Sequence, residues 1–203
     1  MVADTRRQTY STYLDSWAKR CFDVVVCSLL LVPALIVIGC TGLSVLIREG
    51  RPVFFVQRRT GKNGTLFWMP KLRTLHTDGN PHEKPAKSDN AALLTGTGKF
   101  LRNHRLDEFP QLFSVLKGRM SLVGPRPELP DIVATYGPLH RKRLLAKPGV
   151  TGLWQIMGDH DLHIHQNIKY DLYYLRKANL WLDMKILLMT VPFMLSRTRE
   201  KRL

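Results

Sequence analysis

Asp107 and Glu108 stand side by side in a basic neighbourhood, with Arg102, His104 and Arg105 before them and Lys117, Arg119 and Arg126 after. Carboxylates near several guanidinium groups stay ionised. Such a pair attacks phosphorus, binds Mg²⁺, or does both; the bland alternative is a solvated helix surface. Further on, the stretch Gly118-Arg119-Met120-Ser121-Leu122-Val123-Gly124-Pro125-Arg126-Pro127 sets Arg126 between two prolines. They fix the backbone on both sides and suit the guanidinium to bidentate phosphate contact. The alternative is a structural loop whose arginine faces solvent. Lys147-Pro148-Gly149-Val150-Thr151-Gly152 is a second rigid loop, either a phosphate-approaching backbone or a simple turn. It lacks the Gly-x-x-x-x-Gly-Lys-Ser/Thr spacing of a P-loop. His160, His163 and His165, with Asp159 and Asp161, match no zinc spacing and read as a polar helix lead-in.

The elements that must position these residues follow from patterning. Val24 to Ile47 carries no Asp, Glu, Lys, Arg or His. As a straight helix it reaches roughly 36 Å, against a bilayer core of about 30 Å. All three cysteines, Cys21, Cys27 and Cys40, lie in or beside this run, as small apolar side chains rather than a disulfide framework. Rival readings are a signal peptide, for which no small-x-small cleavage site follows, and a buried helix of a soluble protein. Pro33 lies inside the run and predicts a kink, because its ring removes an N–H and crowds the Leu29 carbonyl. Ahead of it, residues 1–18 read as a polar tail with Tyr10, Tyr13, Leu14 and Trp17 on one stripe. Val53–Gln57 and Thr65–Met69, around a glycine-bearing turn, predict a β-hairpin. Residues 76–98 predict a mobile loop, Phe100–Leu116 a helix broken or started at Pro110, Gly118–Pro130 a rigid loop, Asp131–Leu145 a short basic helix, and Asp171–Leu195 another helix. The expected architecture is α+β and mostly helical. It comprises residues 1–18 as a tail, 19–48 as a re-entrant membrane helix, and 49–203 as a catalytic domain with a basic tail. Its amphipathic helices are expected to lie at the membrane surface.

The chain has 203 residues, with 31 Lys and Arg against 16 Asp and Glu, for a net charge of +15. That excess points to an anionic partner: a phosphorylated substrate, an anionic membrane or nucleic acid. Nucleic acid is disfavoured, since the aromatics are not interleaved with basic residues as stacking platforms and no DNA-binding motif occurs. A hydrophobic content of 44% sets aside disorder throughout.

Taken together the pieces resemble the bacterial sugar transferases, the small monotopic phosphoglycosyl transferases. The matching segments are Lys19-Arg20-Cys21-Phe22-Asp23, Pro33, Pro52 to Gly61, Lys71-Leu72-Arg73-Thr74, Leu101-Arg102, Leu106-Asp107-Glu108-Phe109-Pro110-Gln111-Leu112, Lys117 to Pro127, and Lys147 to Gln155. The resemblance implies transfer of a sugar-1-phosphate from a UDP-sugar to polyprenyl phosphate (undecaprenyl phosphate), with release of UMP. The reaction would begin surface glycan assembly at the cytoplasmic face of the bacterial inner membrane. It implies Asp107 as nucleophile, Glu108 as ligand of Mg²⁺, and Lys71, Arg102 and Arg126 around the phosphates. Arg20 and Asp23 match a pair that ties the membrane helix to the catalytic part. Two positions depart from the pattern. Val32 stands where the family often has Ser, and Asp159 stands where an arginine near the nucleotide is usual. The second motivates a rival, a weakened relative acting as a membrane-anchored scaffold; the other is a basic protein that binds anionic lipid or nucleic acid. No multi-span amino-terminal region is present, which reads as the minimal form of the family or its catalytic part. Packing of two copies through the C-terminal helix is a further expectation. Basic residues flank both ends of the apolar run, Lys19 and Arg20 before it and Arg48, Arg51, Arg58 and Arg59 after. Both ends are therefore expected on the cytoplasmic side, the alternative being a single span with the N-terminus outside.

Overall fold

A computed structural model describes residues 10–76, 94–158 and 164–200 of the chain. A 3-10 turn, Thr12–Asp15, leads into α1, Trp17–Glu49. The Ser16 hydroxyl caps α1 by accepting the Lys19 N–H at 3.1 Å, and Gly50 ends it with a φ of 71°. The helix continues through Pro33 without interruption. Lys19, Asp23, Cys27, Ala34, Ile38, Gly42 and Val45 are its buried residues, spaced three, four or seven apart, so one stripe faces the body along the whole length. The other faces stay apolar and open, with Leu29 at 71%, Val32 at 68% and Ile47 at 74% exposure. The lead-in stripe divides: Tyr13 and Leu14 pack on the core while Trp17 is exposed.

β1, Phe54–Thr60, and β2, Leu66–Leu72, form the expected antiparallel hairpin, pairing Phe54 with Leu72 through to Thr60 with Leu66. The strands run further than their apolar cores. Side chains at Phe67, Met69 and Leu72 are buried, while Phe54, Val56, Leu66 and Trp68 are exposed. After β2 an isolated bridge joins Leu75 to Leu94, and α2 spans Gly96–Asn103. Most of the segment expected to be mobile, residues 77–93, lies outside the described residues.

The helix expected over Phe100–Leu116 is instead three pieces: α2, a 3-10 helix at Leu106–Gln111, and α3 at Leu112–Leu116. The break falls at Arg105, which takes a left-handed φ of 54° and turns the chain ahead of Asp107. The two rigid loops conceal strands. β3, Ser121–Val123, pairs in parallel with β4, Gly149–Thr151, and both are fully or largely buried. Gly124 and Gly149 permit the close crossing, since a Cβ on Gly124 would fall 2.9 Å from the Gly149 nitrogen. The basic helix expected over Asp131–Leu145 is also divided, into α4 (Pro130–Ala134), α5 (Pro138–Arg141) and a 3-10 turn (Lys142–Leu145), because Gly137-Pro138 starts a new element. α6 (Leu153–Met157), α7 (Ile168–Lys177) and α8 (Leu180–Glu200) complete the body, Ala178 and Asn179 separating the last two.

Cys27 and Ala34 of α1 share one core with Phe67 and Met69 of the hairpin, Leu112 and Val115 of α3, Leu122 and Val123 of β3, and Ile186 of α8. Polar bonds anchor the start of α1 to the same body. Arg20 donates to the Val115 and Leu116 carbonyls at 2.7 Å each, and Asp23 accepts the Leu122 N–H at 3.1 Å. Arg20 and Asp23 therefore tie the helix down separately, as no bond joins them. Asp23 pairs with Lys19 at 3.1 Å, and Lys19 in turn reaches Asp183 of α8 at 2.7 Å.

Candidate active site

The 3-10 helix after Arg105 sets Asp107 and Glu108 on its first turn, with both side chains buried. Adjacent residues on a 3-10 helix diverge by about a third of a turn, so the two carboxylates meet different partners. Glu108 Oε1 accepts from Arg126 Nη2 at 2.8 Å and from Lys71 Nζ at 3.2 Å, and Oε2 lies 4.0 Å from Arg105 Nη1. Burial opposes the charge on Glu108, but Arg126, Lys71 and Arg105 together outweigh it and hold the carboxyl well below the usual carboxylate range. Asp107 accepts no hydrogen bond among the described residues. Burial and the adjacent Glu108 charge push its pKa up, and Lys71, Arg102 and Arg126 only partly reverse this. Two neighbouring carboxylates are thereby separated, one locked in its charged form and one left free and more basic.

The three expected cations do not all play one part. Lys71 projects from β2 and Arg126 from the Gly124–Glu128 loop, both directly onto Glu108. Arg102 in α2 is fixed by a 2.9 Å bond from Nε to Thr74 Oγ1 and acts on Asp107 electrostatically. Arg105 joins them as a fourth, and its guanidinium also lies 5.5 Å from the Phe193 ring centre. Arg20, Asp23 and Pro33 belong to α1 and its anchoring, as described above.

The arginine between two prolines does not face solvent. Its loop is gripped from three sides. Arg143 donates from Nη2 to the Arg126 carbonyl at 3.0 Å, Arg59 donates to the Pro127 carbonyl at 3.3 Å, and the Thr60 N–H donates to the Glu128 carbonyl at 3.0 Å. Arg143 is itself buried at 2% exposure, donating to the Tyr136 hydroxyl at 2.7 Å and lying 2.9 Å from Asp171 Oδ2. Trp154 places its ring 6.0 Å from the Arg126 guanidinium. Sequence reasoning missed Arg59, Arg105 and Arg143 as site residues. Alternation along β1 was a usable signal for Arg59, whose neighbours Arg58 and Trp68 face out.

The Lys147–Gly152 loop is not a free phosphate cradle. The Gly149 N–H is already given to the Pro125 carbonyl at 2.9 Å, and the glycines serve the strand crossing. Asp159, His160, Asp161 and His163 lie outside the described residues, as does the side chain of His165. Among the described residues no group of three or more metal-ligating side chains occurs. A cavity of about 90 Å³ lined by Leu14, Lys19, Arg20, Asp23 and Lys147 shares no residue with the carboxylate cluster.

A buried carboxylate with no hydrogen bond among the described residues, ringed by lysine and arginines, suits covalent chemistry on a phosphate: the cations neutralise the anion and the carboxylate attacks. Residues 14–197 match the family model described as bacterial sugar transferase. The chain is 36% identical over 199 residues to the undecaprenyl-phosphate galactose phosphotransferase of Salmonella typhimurium, covering 88% of this chain and 40% of that protein. To the UDP-glucose:undecaprenyl-phosphate glucose-1-phosphate transferase of Klebsiella pneumoniae it is 39% identical over 184 residues, covering 85% of this chain and 39% of that one. To the uncharacterized sugar transferase EpsL of Bacillus subtilis it is 39% identical over 176 residues, covering 85% of each chain. The chain thus spans about two fifths of the first two relatives and most of the third.

Proposed function

Since the chain belongs to the bacterial sugar transferase family, we propose that it moves a sugar-1-phosphate from a UDP-sugar onto polyprenyl phosphate at the cytoplasmic face of the inner membrane, releasing UMP. The observation that carries the reading is the contrast between Glu108, held by Lys71 and Arg126, and Asp107, buried beside it without a hydrogen bond among the described residues. In the first step an Asp107 carboxylate oxygen attacks the phosphorus that bears the sugar. The bond from that phosphorus to the bridging oxygen breaks, UMP leaves with that oxygen, and a phosphosugar-aspartyl ester remains. In the second step a phosphate oxygen of the lipid attacks the same phosphorus, the aspartyl ester bond breaks, and the carboxylate is regenerated. Arg102 and Arg126 bind and orient the phosphates, and Lys71 with Arg126 keeps Glu108 out of the nucleophile's path.

The residues fit Mg²⁺ as well. Glu108 keeps one oxygen, Oε2, without a close partner, and magnesium in phosphate enzymes is commonly held by one or two carboxylates plus substrate oxygens. When bound there it would neutralise charge on the diphosphate.

The membrane reading has a structural basis in α1. One stripe of it is bonded and packed onto the catalytic body at both ends, through Arg20 and Asp23 at its start and Val45 and Glu49 at its finish. Its opposite apolar residues are open. A straight span would carry one end away from the body on which both ends rest. The fixing of both ends to one body supports the reading that the helix enters and leaves from one side, with its open face in lipid and the amphipathic helices of the body at the surface.

The test is incubation of the full chain with UDP-sugars and Mg²⁺, without acceptor. One equivalent of UMP and a sugar-phosphate adduct on Asp107, seen by intact and peptide mass spectrometry, are expected; added polyprenyl phosphate should then discharge the adduct. UMP release only when the acceptor is present, with no adduct, would refute the covalent route. No UMP under either condition would leave the scaffold reading in its place.

A further inference from the structure

The cavity of about 90 Å³ lies where the start of α1 meets β3 and the Lys147 loop, and two of its cations converge. A Cβ on Gly118 would fall 3.8 Å from Arg20 Nη2 and 3.9 Å from Lys147 Nζ. Gly118 turns there with a left-handed φ of 74° and leaves the space beside both cations open. Arg20 gives each terminal nitrogen to one carbonyl, Val115 or Leu116, so each keeps a second N–H. The backbone of the Lys147 loop is committed to the strand crossing, but Lys147 Nζ has no hydrogen bond or ion pair among the described residues. Burial first, and then the Arg20 charge, pull the Lys147 ammonium down from its ordinary value. The carboxylates in the same wall are engaged elsewhere, Asp23 by Lys19 and the Leu122 N–H, and Asp15 by Lys62. They act on Lys147 only from beyond ion-pair distance, opposed by Arg20 and Lys62.

The surroundings say what anion fits between the two cations. One water needs roughly 10–15 Å³ of such space, so the cavity has room for a phosphate group. Among the described residues no aromatic side chain lines it, so a nucleotide base has no stacking platform there. Trp17, less than one helical turn before Arg20, is 83% exposed, and tryptophan favours the headgroup level of a bilayer. Val25 and Leu29 continue that open face into α1. Lys117 and Arg119, on either side of Gly118, are exposed and add positive charge at the edge of the cavity. A cationic rim at the depth of an interfacial tryptophan suits the anionic cytoplasmic leaflet.

We propose that this cavity is a phosphate site, in which Lys147 Nζ and the second N–H groups of Arg20 hold the phosphate of an anionic membrane lipid. It rests on the membrane reading of α1 and not on the transfer reaction, since no residue of the cavity belongs to the Asp107 and Glu108 cluster. The bound lipid would fasten the start of α1 to the Lys147 loop, across the two cations that otherwise repel.

The experiment follows the melting temperature of the full chain in dodecyl maltoside micelles, which carry no phosphate, as phosphatidylglycerol, phosphatidylcholine or inorganic phosphate is added. Phosphatidylglycerol is expected to raise it by roughly 5–10 °C at a hundredfold excess over Kd, and the other two by much less. In Lys147→Gln the affinity for phosphatidylglycerol should fall by about tenfold, the loss of one charged hydrogen bond. Lys147→Arg should keep most of it, as should Lys169→Gln, which removes one charge at an exposed site elsewhere. Without lipid, Lys147→Gln should melt no lower than wild type, because it removes a cation that has no partner and sits beside Arg20. A lower melting point, or no folded Lys147→Gln, would mean that Lys147 serves the fold itself and would overturn the proposal. So would an equal rise with phosphatidylcholine, an equal loss in Lys169→Gln, or inorganic phosphate matching the lipid, which would make this a site for a free anion. A wild type that stays monodisperse without detergent would refute the membrane reading beneath the proposal. One that needs detergent yet ignores phosphatidylglycerol refutes only this site.

Discussion

Gly98 lies on α2 one turn before Arg102, and its missing side chain is what lets that helix press against Thr74. A Cβ built there would fall 2.6 Å from the Thr74 carbonyl carbon and 2.7 Å from its Cα, where carbon atoms settle at about 3.5 Å. Gly98→Ala must therefore push α2 away by roughly 1 Å, because the opposing atoms are backbone and have little room to yield. Arg102 is four residues on, hence on the same face, and its Nε bond to Thr74 Oγ1 is 2.9 Å long. A shift of that size takes the bond out of range and moves the guanidinium that acts on Asp107. Misplacement of about 1 Å at a reacting centre costs on the order of 100-fold in rate. Overpacking is expected to cost about 1–3 kcal/mol of stability, offset in part by the roughly 0.5–1 kcal/mol that alanine gains over glycine in a helix. Gly96→Ala is the control, since nothing lies within 4 Å of a Cβ there. The assay is the initial rate of UMP formation alongside thermal unfolding in the same detergent. A Gly98→Ala enzyme within threefold of Gly96→Ala in kcat/KM would refute the argument that this glycine sets the position of Arg102.

Three further outcomes are expected. Asp107→Asn should lose at least a thousandfold in turnover while its melting temperature stays level or rises, because burial already disfavours the charge on Asp107; retention of a tenth of wild-type turnover would rule out the aspartyl ester. Burial raises Asp171 to about 6 against the pull of Arg143, so the fold holds this proton more tightly than the unfolded chain does. Its contribution to stability is complete at low pH and is lost as pH climbs through about 6. Denaturation of Asp171→Asn relative to wild type should accordingly shift by up to about 3 kcal/mol between pH 4 and pH 7, and a flat difference would contradict it. With the native cysteines removed, Thr12→Cys and Lys177→Cys should both resist a membrane-impermeant thiol reagent in intact spheroplasts and react once the membrane is opened. Labelling of Thr12→Cys from outside would mean that α1 spans.

The hairpin and the long helix were legible because each has a pattern with a period or a length. A glycine turn between alternating strands, and an uncharged run too long for an ordinary soluble helix, need no tertiary information. β3 and β4 were not legible for the opposite reason. Each is three residues, Ser121–Val123 and Gly149–Thr151, buried with no alternation, and they pair across more than twenty-five intervening positions. The carboxylates and Lys71, Arg102 and Arg126 came from motif resemblance, and the structure brings Lys71 and Arg126 onto Glu108 as bonded partners. Arg143 was hidden within Arg141-Lys142-Arg143, a run that looks like a solvated basic surface. Only the 3-10 turn there rotates Arg143 inward to 2% exposure. The Lys19, Asp23 and Asp183 cluster was likewise invisible, since its members come from opposite ends of the chain.

The shared core between α1 and the body has a practical side for anyone who would work with this enzyme in water. Cys27 and Ala34 fill the interior beside Leu112, Val115 and Ile186, and Asp23 occupies the Leu122 amide. The helix is therefore no detachable tether. Cutting the chain after Glu49 to obtain a soluble fragment would strip α3 and α8 of packing, leave the Leu122 N–H without its acceptor, and bare the Asp183 carboxylate that Lys19 neutralises. The segment carrying Asp107 runs straight into α3, so the catalytic turn would lose its floor. Solubility has to be sought by repainting the open face of α1 at positions such as Leu29, Val32 and Ile36 with polar residues, leaving the inward stripe untouched.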